Sequence, residues 1–198
     1  MAKIVGITGP SGSGKSLLSE QIKKAGIPSI DADGVYHSML IPPSPVLDAL
    51  SLAFGSEILS EDGSLDRAFL AKTVFSDKEK LMLLNKTVLP LVIDEIMGII
   101  EKLSEDNEVV VVDAPTLIES GFNKSCDLVV SVIASKEIRA KRISLRDNLS
   151  ADAAMARINA QKPDDFYIKH SHRVLYNNGS EEDFLGFAQL LIDEIKAL

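Results

Sequence analysis

Short continuous apolar runs alternate along the chain with longer stretches in which apolar residues recur every three or four positions. Continuous runs of this length are typical of strands buried in a parallel sheet, whereas the longer spacing indicates amphipathic helices. The runs occupy residues 4–8, 27–30, 109–112 and 128–133, and a shorter strand is predicted at residues 173–176. The pattern therefore predicts an α/β fold with a parallel sheet flanked by helices.

Two mainly helical stretches interrupt this strand pattern. In the first, residues 36–107, prolines at positions 42, 43 and 45 end one helix and Pro90 is predicted to open another. Its amphipathic segments are predicted at residues 46–54, 69–75, 80–89 and 91–103. The second stretch covers residues 138–167. We expect one domain, residues 1–198, whose core consists of residues 1–35, 108–137 and 168–198.

The chain closes with a predicted amphipathic helix at residues 181–198. Helical spacing places four apolar side chains on one face of it: Phe184, Phe187, Leu191 and Ile195. We expect this face to pack against the sheet.

Residues 9–16 carry the strongest chemical signal. The segment Gly-Pro-Ser-Gly-Ser-Gly-Lys-Ser follows the first strand, precedes a predicted helix at residues 15–25, and fits the phosphate-binding pattern G-x-x-x-x-G-K-[ST]. Glycines let the backbone wrap around phosphate oxygens, Lys15 is placed to reach the β- and γ-phosphates, and the Ser16 hydroxyl is placed to ligate Mg²⁺. The motif predicts a nucleotide site built from Gly12, Ser13, Gly14, Lys15, Ser16 and Leu17.

Acidic residues follow two of the strands at the edge where open α/β sheets bind ligands. Asp31 and Asp33 come directly after residues 27–30, and a spacing of two keeps them on one side if the extended backbone continues. Asp113 ends the third strand, in the position of the acid that holds Mg²⁺ in nucleotide-binding proteins of this type. Glu119 lies in the following loop and is expected to face the same edge.

Three arginines, Arg139, Arg142 and Arg146, lie at i, i+3 and i+7 of a predicted helix and so share one face. Such a face can neutralise the charge of a phosphoryl group during its transfer, or it can simply be solvated. The sequence alone leaves both interpretations open.

Composition limits the classes of binding partner and the cellular compartment that we expect. The chain of 198 residues carries 29 acidic and 21 basic side chains, a net charge of −8, which argues against a nucleic-acid or membrane partner. Cys126 is the single cysteine, so no disulfide can form within the chain, and no apolar run approaches the length of a membrane span. We therefore expect a cytoplasmic protein.

Several classes of nucleotide-binding protein share the phosphate-binding loop. A regulatory GTPase needs N-K-x-D to recognise guanine, but the segment from Asn123 to Asp127 has one residue too many. A mechanical ATPase or a pure nucleotide-binding module usually carries partner-facing extensions, which this compact chain lacks. Small-molecule kinases remain as the favoured class.

Further motifs resemble those of the dephospho-coenzyme A kinases over nearly the whole chain. They are the loop at residues 6–16, D-A-D at 31–33, D-G-x-L-x-R at 62–67, D-A-P at 113–115, and N-N-G at 177–179. The resemblance implies a P-loop kinase core, an acceptor-binding insertion at residues 36–107 and a small helical lid at 138–167. It also implies transfer of the γ-phosphate of ATP, with Mg²⁺, to the ribose 3′-hydroxyl of dephospho-CoA, by a monomer or small homo-oligomer.

The resemblance assigns roles to individual residues. It implies that Asp33 is the general base and that Lys15 and Arg142 act on the transferred phosphoryl group. Arg146 and Asn177 are expected to bind ATP, and the residues expected to bind the acceptor are Asp31, His37, Arg67 and Glu119.

Local alternatives to these roles exist. Asp33 can instead cap the following helix, Arg67 can pair with Asp62 or Asp66, and Asn177 can belong to a bare Asn-Gly turn.

Three sites depart from the family pattern. Leu89 precedes Pro90 where relatives usually have histidine, Ser171-His172 stands where they often have Ala-Asp, and Pro10 replaces a common glycine of the phosphate-binding loop. The missing histidine leaves open an alternative, a related kinase that phosphorylates a nucleoside or a nucleoside monophosphate.

Overall fold

Five parallel strands form one sheet in a computed structural model that describes residues 1–75 and 77–198. The strands are β1 (Lys3–Thr8), β2 (Ser29–Asp31), β3 (Val109–Asp113), β4 (Leu128–Ile133) and β5 (Arg173–Tyr176). Their order across the sheet is β2-β3-β1-β4-β5, and every neighbouring pair is parallel. The predicted parallel sheet is thus confirmed, although β2 begins two residues late and includes Asp31.

Helices connect β1 to β2, β2 to β3 and β4 to β5, and a last helix follows β5. They are α1 (Lys15–Lys24), α2 (Ala32–Ser38), α3 (Pro45–Phe54), α4 (Arg67–Phe75), α5 (Lys78–Leu103), α6 (Lys136–Asp147), α7 (Ala151–Asn159), α8 (Asp164–Lys169) and α9 (Glu181–Lys196). Short 3₁₀ turns add Ser56–Ile58 and Phe122–Ser125.

The chain divides into two compact units. Unit 1 consists of Met1–Asp31 and Ile100–Leu198 and contains the whole sheet, whereas unit 2, Ala32–Ile99, is built from helices. Within unit 2, Ser44 caps α3 by accepting a hydrogen bond from the backbone N–H of Val46, and Pro45 occupies the first turn of that helix.

The core of unit 1 lies between one face of the sheet and helices α1 and α9. Val5 and Ile7 of β1 pack there with Leu18 and Ile22 of α1, and all four are fully buried. Helix α9 contributes Phe184, Ala188, Leu191, Ile192 and Ile195. The prediction that Phe187 joins this face is wrong, because that side chain is 54% exposed and Ala188 takes its place.

Helix α5 also differs from the expectation. Pro90 does not open a helix but lies inside a single helix of 26 residues. The buried residues Val88, Val92, Ile96 and Ile100 recur every four positions on both sides of the proline. One continuous apolar stripe therefore favours one continuous helix in spite of the lost backbone donor.

The carboxyl ends of three strands meet at one edge of the sheet. Asp31 lies beside Asp113, and Asp113 lies beside Ile7 of β1, directly before the phosphate-binding loop. Helix α2 starts at Ala32, so the extended backbone does not continue to Asp33. Asp33 lies inside the first turn of α2 rather than in the capping position before it.

Candidate active site

The phosphate-binding loop, residues 9–16, has a backbone that only glycine accommodates easily at three positions. Gly9, Gly12 and Gly14 all have positive φ, and the φ of Gly14 is 103°. A Cβ atom on Gly14 would lie 2.0 Å from Nδ2 of Asn177. Backbone conformation therefore favours glycine at all three positions, and the closeness of Asn177 further excludes a side chain at Gly14.

Side chains of unit 1 bind the outward carbonyl groups of this loop. Arg139 Nε donates to the carbonyl oxygen of Ser11 at 2.9 Å, and Arg142 Nη1 donates to those of Gly12 and Ser13 at 3.3 and 3.2 Å. Asn177 Nδ2 also donates to the carbonyl oxygen of Ser13, at 2.9 Å. These contacts hold the carbonyl groups of three successive residues, Ser11, Gly12 and Ser13.

The start of α1 leaves backbone donors for a ligand. Its N-cap residue, Gly14, has no side chain to cap the helix. The backbone N–H groups of Lys15 and Ser16 come before the first one that bonds back to the helix, that of Leu17, which donates to the carbonyl oxygen of Gly14. A helix that begins this way attracts anions. Among the described residues, the buried hydroxyl of Ser13 also has no hydrogen-bond partner. The loop thus fits a phosphate, which would supply acceptors for these donors.

Lys15 forms an ion pair with Asp113, and the second carboxylate oxygen of Asp113 accepts a hydrogen bond from Ser19. The side chains of Lys15 and Asp113 are each 15% exposed. The motif lysine and the acid at the end of β3 are therefore held together beside the loop, and an arriving phosphate would compete with Asp113 for Lys15.

The predicted arginine face separates into two parts. Arg139 and Arg142 turn toward the phosphate-binding loop, and burial lowers the pKa of each below its ordinary value. Arg146 lies at the surface with its side chain 56% exposed and forms an ion pair with Asp147 at 2.7 Å. Asp147 also pairs with Arg157. The solvated alternative thus describes Arg146 but not the other two.

Asn177 is more than a turn residue. It is 3% exposed, and its side-chain oxygen accepts a hydrogen bond from Arg142 Nη2 at 3.1 Å while its amide contacts Ser13. The adjacent Asn178 accepts a hydrogen bond from the backbone N–H of Ser135. The Asn-Asn pair therefore joins the end of β5 to the phosphate-binding loop and to the start of α6.

Three of the residues expected in catalysis or acceptor binding belong to unit 2. Asp33 and His37 lie one turn apart on α2, and Arg67 begins α4. Tyr36, whose ring centroid lies 5.8 Å from that of His37, is half-buried; burial raises its pKa, while the charge of Arg67 lowers it. Arg67 is thus close enough to α2 to act electrostatically on Tyr36.

The two other expected acceptor residues, Asp31 and Glu119, belong to unit 1. Asp31 ends β2 beside Asp113, as described above. Glu119 accepts a hydrogen bond from the hydroxyl of the buried Tyr167 at 3.5 Å and borders an open cavity of about 480 Å³. Burial, followed by the charge of Glu119, raises the pKa of Tyr167 to about 12.

A metal ion would depend on the nucleotide for most of its ligands. Within residues 1–75 and 77–198, no group of three or more His, Cys, Asp or Glu side chains is arranged to hold a metal. Mg²⁺ at kinase sites is usually bound by one or two protein oxygens together with substrate phosphates. The exposed Ser16 and the nearby Asp113 fit this arrangement.

Sequence reasoning missed the role of Arg139 and the contact between Ser19 and Asp113. The contact between Ser19 and Asp113 could have been predicted, because the spacing of four between Lys15 and Ser19 places both on one face of α1. The partners of Arg139 come from distant parts of the chain, so no local pattern indicates them.

Comparison with known proteins gives a consistent family. The sequence model of the family described as dephospho-CoA kinase matches residues 3–183. A curated dephospho-CoA kinase of Corynebacterium glutamicum is 38% identical over 192 residues, which is 96% of each chain. That of Listeria monocytogenes is 38% identical over 183 residues, 92% of each chain.

Solved structures agree with the sequence comparison. A dephospho-CoA kinase from Campylobacter jejuni superposes with a TM-score of 0.74 at 28% identity over 98% of each chain. A shikimate kinase from Acinetobacter baumannii gives 0.55 at 16% identity, over 98% of this chain and 95% of its own, which shows the shared P-loop kinase fold alone. None of the helices in the described part of the chain is long and apolar enough to cross a membrane.

Proposed function

The chain belongs to the dephospho-CoA kinase family, and from this membership we propose how its residues divide the work of an ATP-dependent kinase that acts on dephospho-CoA. The observation that carries the proposal is the phosphate-binding loop, whose carbonyl groups are bound by Arg139, Arg142 and Asn177 while the first N–H groups of α1 remain available.

The loop is proposed to bind the phosphates of ATP. Residues 12–17 surround the phosphates, and the backbone N–H groups of Gly14, Lys15 and Ser16 donate to phosphate oxygens. Lys15 exchanges its contact with Asp113 for the β- and γ-phosphates. Arg142 and Asn177 support the loop from outside, and Arg146 is proposed to reach the nucleotide from the end of α6. Mg²⁺, held by Ser16 and Asp113 with the phosphates, would neutralise charge on the transferred group.

Asp33 is proposed to accept the proton of the ribose 3′-hydroxyl. The hydroxyl oxygen then forms its bond to the γ-phosphorus while the bond from that phosphorus to the oxygen of ADP breaks. Lys15 and Arg142 stabilise negative charge on the phosphoryl group as it moves.

Unit 2 is proposed to bind the acceptor. Arg67, with its exposed cationic side chain, is suited to the diphosphate of dephospho-CoA, and His37 lies one turn beyond the proposed base. Asp31 and Glu119 are proposed to contact the acceptor as well. Leu89 stands in place of the usual histidine, so an acceptor or structural contact that this histidine makes in relatives is absent here or supplied by another residue.

We also propose that residues 138–167 act as a lid and that the enzyme is a monomer or small homo-oligomer of the cytoplasm. The single cysteine is compatible with a reducing compartment. Sedimentation of the purified enzyme with and without ATP tests the oligomeric state.

The proposed base is tested with Asp33→Asn. ADP release is measured with ATP and Mg²⁺ against dephospho-CoA, AMP, CMP and a panel of nucleosides. We expect turnover with dephospho-CoA only, and a fall in kcat of about 10²- to 10⁴-fold in the variant, the usual effect of losing a general base.

Asp48→Asn is the matched control. Asp48 is exposed in the first turn of α3, so this variant removes one carboxylate from the same kind of position in the same unit. It should keep the activity of the unchanged enzyme. If the Asp33 variant is as active as the unchanged enzyme, Asp33 is not the general base. Turnover with a nucleoside or nucleoside monophosphate instead of dephospho-CoA would favour the alternative kinase.

A further inference from the structure

Arg139 is the largest of the fully buried side chains, with 1% of its surface exposed. Its guanidinium donates to three acceptors, one in the phosphate-binding loop and two within residues 161–164. Nε contacts the carbonyl oxygen of Ser11 at 2.9 Å, Nη2 contacts Oε1 of Gln161 at 2.8 Å, and Nη1 contacts Asp164 at 3.0 Å. A buried cation with this many partners is expensive to dehydrate, so its position requires an explanation beyond simple stability.

Two of these contacts converge on one residue of the phosphate-binding loop. The oxygen of Gln161 that accepts from Arg139 also accepts from the backbone N–H of Ser11, at 3.1 Å. Arg139 therefore holds Ser11 directly through its carbonyl group and indirectly through its N–H. The three residues Arg139, Gln161 and Ser11 form a closed hydrogen-bonded ring, which we call the Ser11 clamp.

The clamp holds Ser11, whereas other contacts hold the rest of the loop. Arg142 and Asn177 fix the carbonyl groups of Gly12 and Ser13, and α1 fixes the chain from Lys15 onward. Helix α6 also lies directly against the loop, because a Cβ atom on Gly12 would come within 2.9 Å of the carbonyl oxygen of Arg139. Ser11 precedes Gly12, Ser13 and α1 in the chain, so the clamp fixes the segment that leads into them.

We propose that Arg139 is a positioning residue that, together with Gln161, holds the phosphate-binding loop in the form that binds ATP. It contacts loop backbone and side chains, and its effect reaches the nucleotide only through the loop. The inference rests on the proposed role of this loop in binding ATP. It predicts that weakening the clamp affects nucleotide binding more strongly than acceptor binding.

Arg139→Lys and Gln161→Ala test the clamp from two sides. The first keeps the positive charge but loses the branched guanidinium that reaches several acceptors, and the second removes the shared oxygen without burying an unpaired charge. We expect both to raise the KM for ATP, and the Kd for ADP measured by calorimetry, about tenfold, as the loss of one or two hydrogen bonds implies. The KM for dephospho-CoA should change less than about twofold.

Gln161→Glu and Asp164→Ala are the matched variants. Glutamate keeps an oxygen that accepts from both Ser11 and Arg139, so Gln161→Glu should restore ATP binding to nearly the level of the unchanged enzyme. Asp164 contacts Arg139 on the side away from Ser11, so Asp164→Ala should lower the Tm while leaving the KM for ATP unchanged.

A purely structural role predicts a different result. Lowered Tm in Arg139→Lys and Gln161→Ala, with the KM for ATP and the Kd for ADP unchanged, would overturn the inference. Equal losses of ATP binding in Gln161→Ala and Gln161→Glu would do the same. Failure of the proposed nucleotide role itself is distinguishable, because the unchanged enzyme would then not bind ADP.

Discussion

Gly14 shows at the scale of one residue how a missing side chain shapes the active site. Its backbone adopts a φ of 103°, and the place of a Cβ atom is filled by the amide of Asn177. Asn177 in turn holds the carbonyl of Ser13 and accepts from Arg142. The space above Gly14 is thus part of the support for the phosphate-binding loop.

Gly14→Ala is predicted to weaken ATP binding. The new methyl group must displace Asn177, so the hydrogen bond to Ser13 is lost, and we expect the KM for ATP to rise about tenfold or more. Steady-state kinetics with varied ATP measures the effect.

Gly26→Ala separates this contact from backbone strain. Gly26 also has positive φ, 79°, but no atom lies within 4 Å of a Cβ atom placed there. It should cost about 1–2 kcal/mol of unfolding free energy while the KM for ATP stays constant. Equal rises in KM for the two variants would show that the contact with Asn177 is not responsible.

Helix α5 shows at the scale of an element how packing overrides a local signal. Proline inside a helix lacks the N–H that bonds to the preceding turn, and for that reason the sequence predicted a boundary at Pro90. Buried residues at four-residue intervals on both sides of it keep the helix continuous. The apolar stripe can be seen in the sequence. The sequence does not show that burial of this stripe outweighs the cost of a proline inside the helix.

Pro90→Ala is predicted to stabilise the protein. Pro90 is exposed, and alanine restores a hydrogen bond to the preceding turn, so the unfolding free energy should rise by up to about 3 kcal/mol. Gly98→Ala in the same helix, where a Cβ atom meets nothing within 4 Å, should add only about 0.5–1 kcal/mol. Guanidinium unfolding measures both. A Pro90 variant that is less stable than the unchanged protein would mean that the helix depends on the geometry of the proline.

The sequence predicted elements better than it predicted their partners. Strand runs, the phosphate-binding loop and most helices follow from local periodicity and from glycine and lysine in a fixed spacing. The inward turn of Arg139 does not, because the spacing of three arginines defines a face but not what covers it. For the same reason Phe187 was placed in the core, since its spacing from Phe184 fits the apolar face as well as that of Ala188.

At the scale of the whole molecule, the thiol of Cys126 and the phenol of Tyr167 predict how stability changes at high pH. Burial raises the pKa of Cys126 from 9.0 to about 12, and burial raises that of Tyr167 from 10.0 to about 12. Both groups are bound to their protons more tightly in the folded protein than in the unfolded chain. Their contribution to stability is therefore complete below pH 9 and is lost progressively as the pH rises from about 9 to about 12.

We expect the unfolding free energy to fall between about pH 9 and pH 12. Of these two groups, Cys126 acts at the lower end of this range, so Cys126→Ala should flatten the decline between about pH 9 and pH 10. Denaturant unfolding at several pH values measures both curves. Identical slopes for the variant and the unchanged protein would show that the thiol is not the source.

The order of the strands has a consequence for how the protein is made. The first strand, β1, lies at the centre of the sheet, but its neighbours β3 and β4 come roughly 100 residues or more later in the chain. During synthesis at about 5–20 residues per second, this apolar strand waits for several seconds with both edges unpaired. Unit 2 is completed on the ribosome in that interval, before the central sheet can close. A nascent chain that stops before Val109 therefore exposes an aggregation-prone strand, and this enzyme should depend on chaperones more than its size suggests.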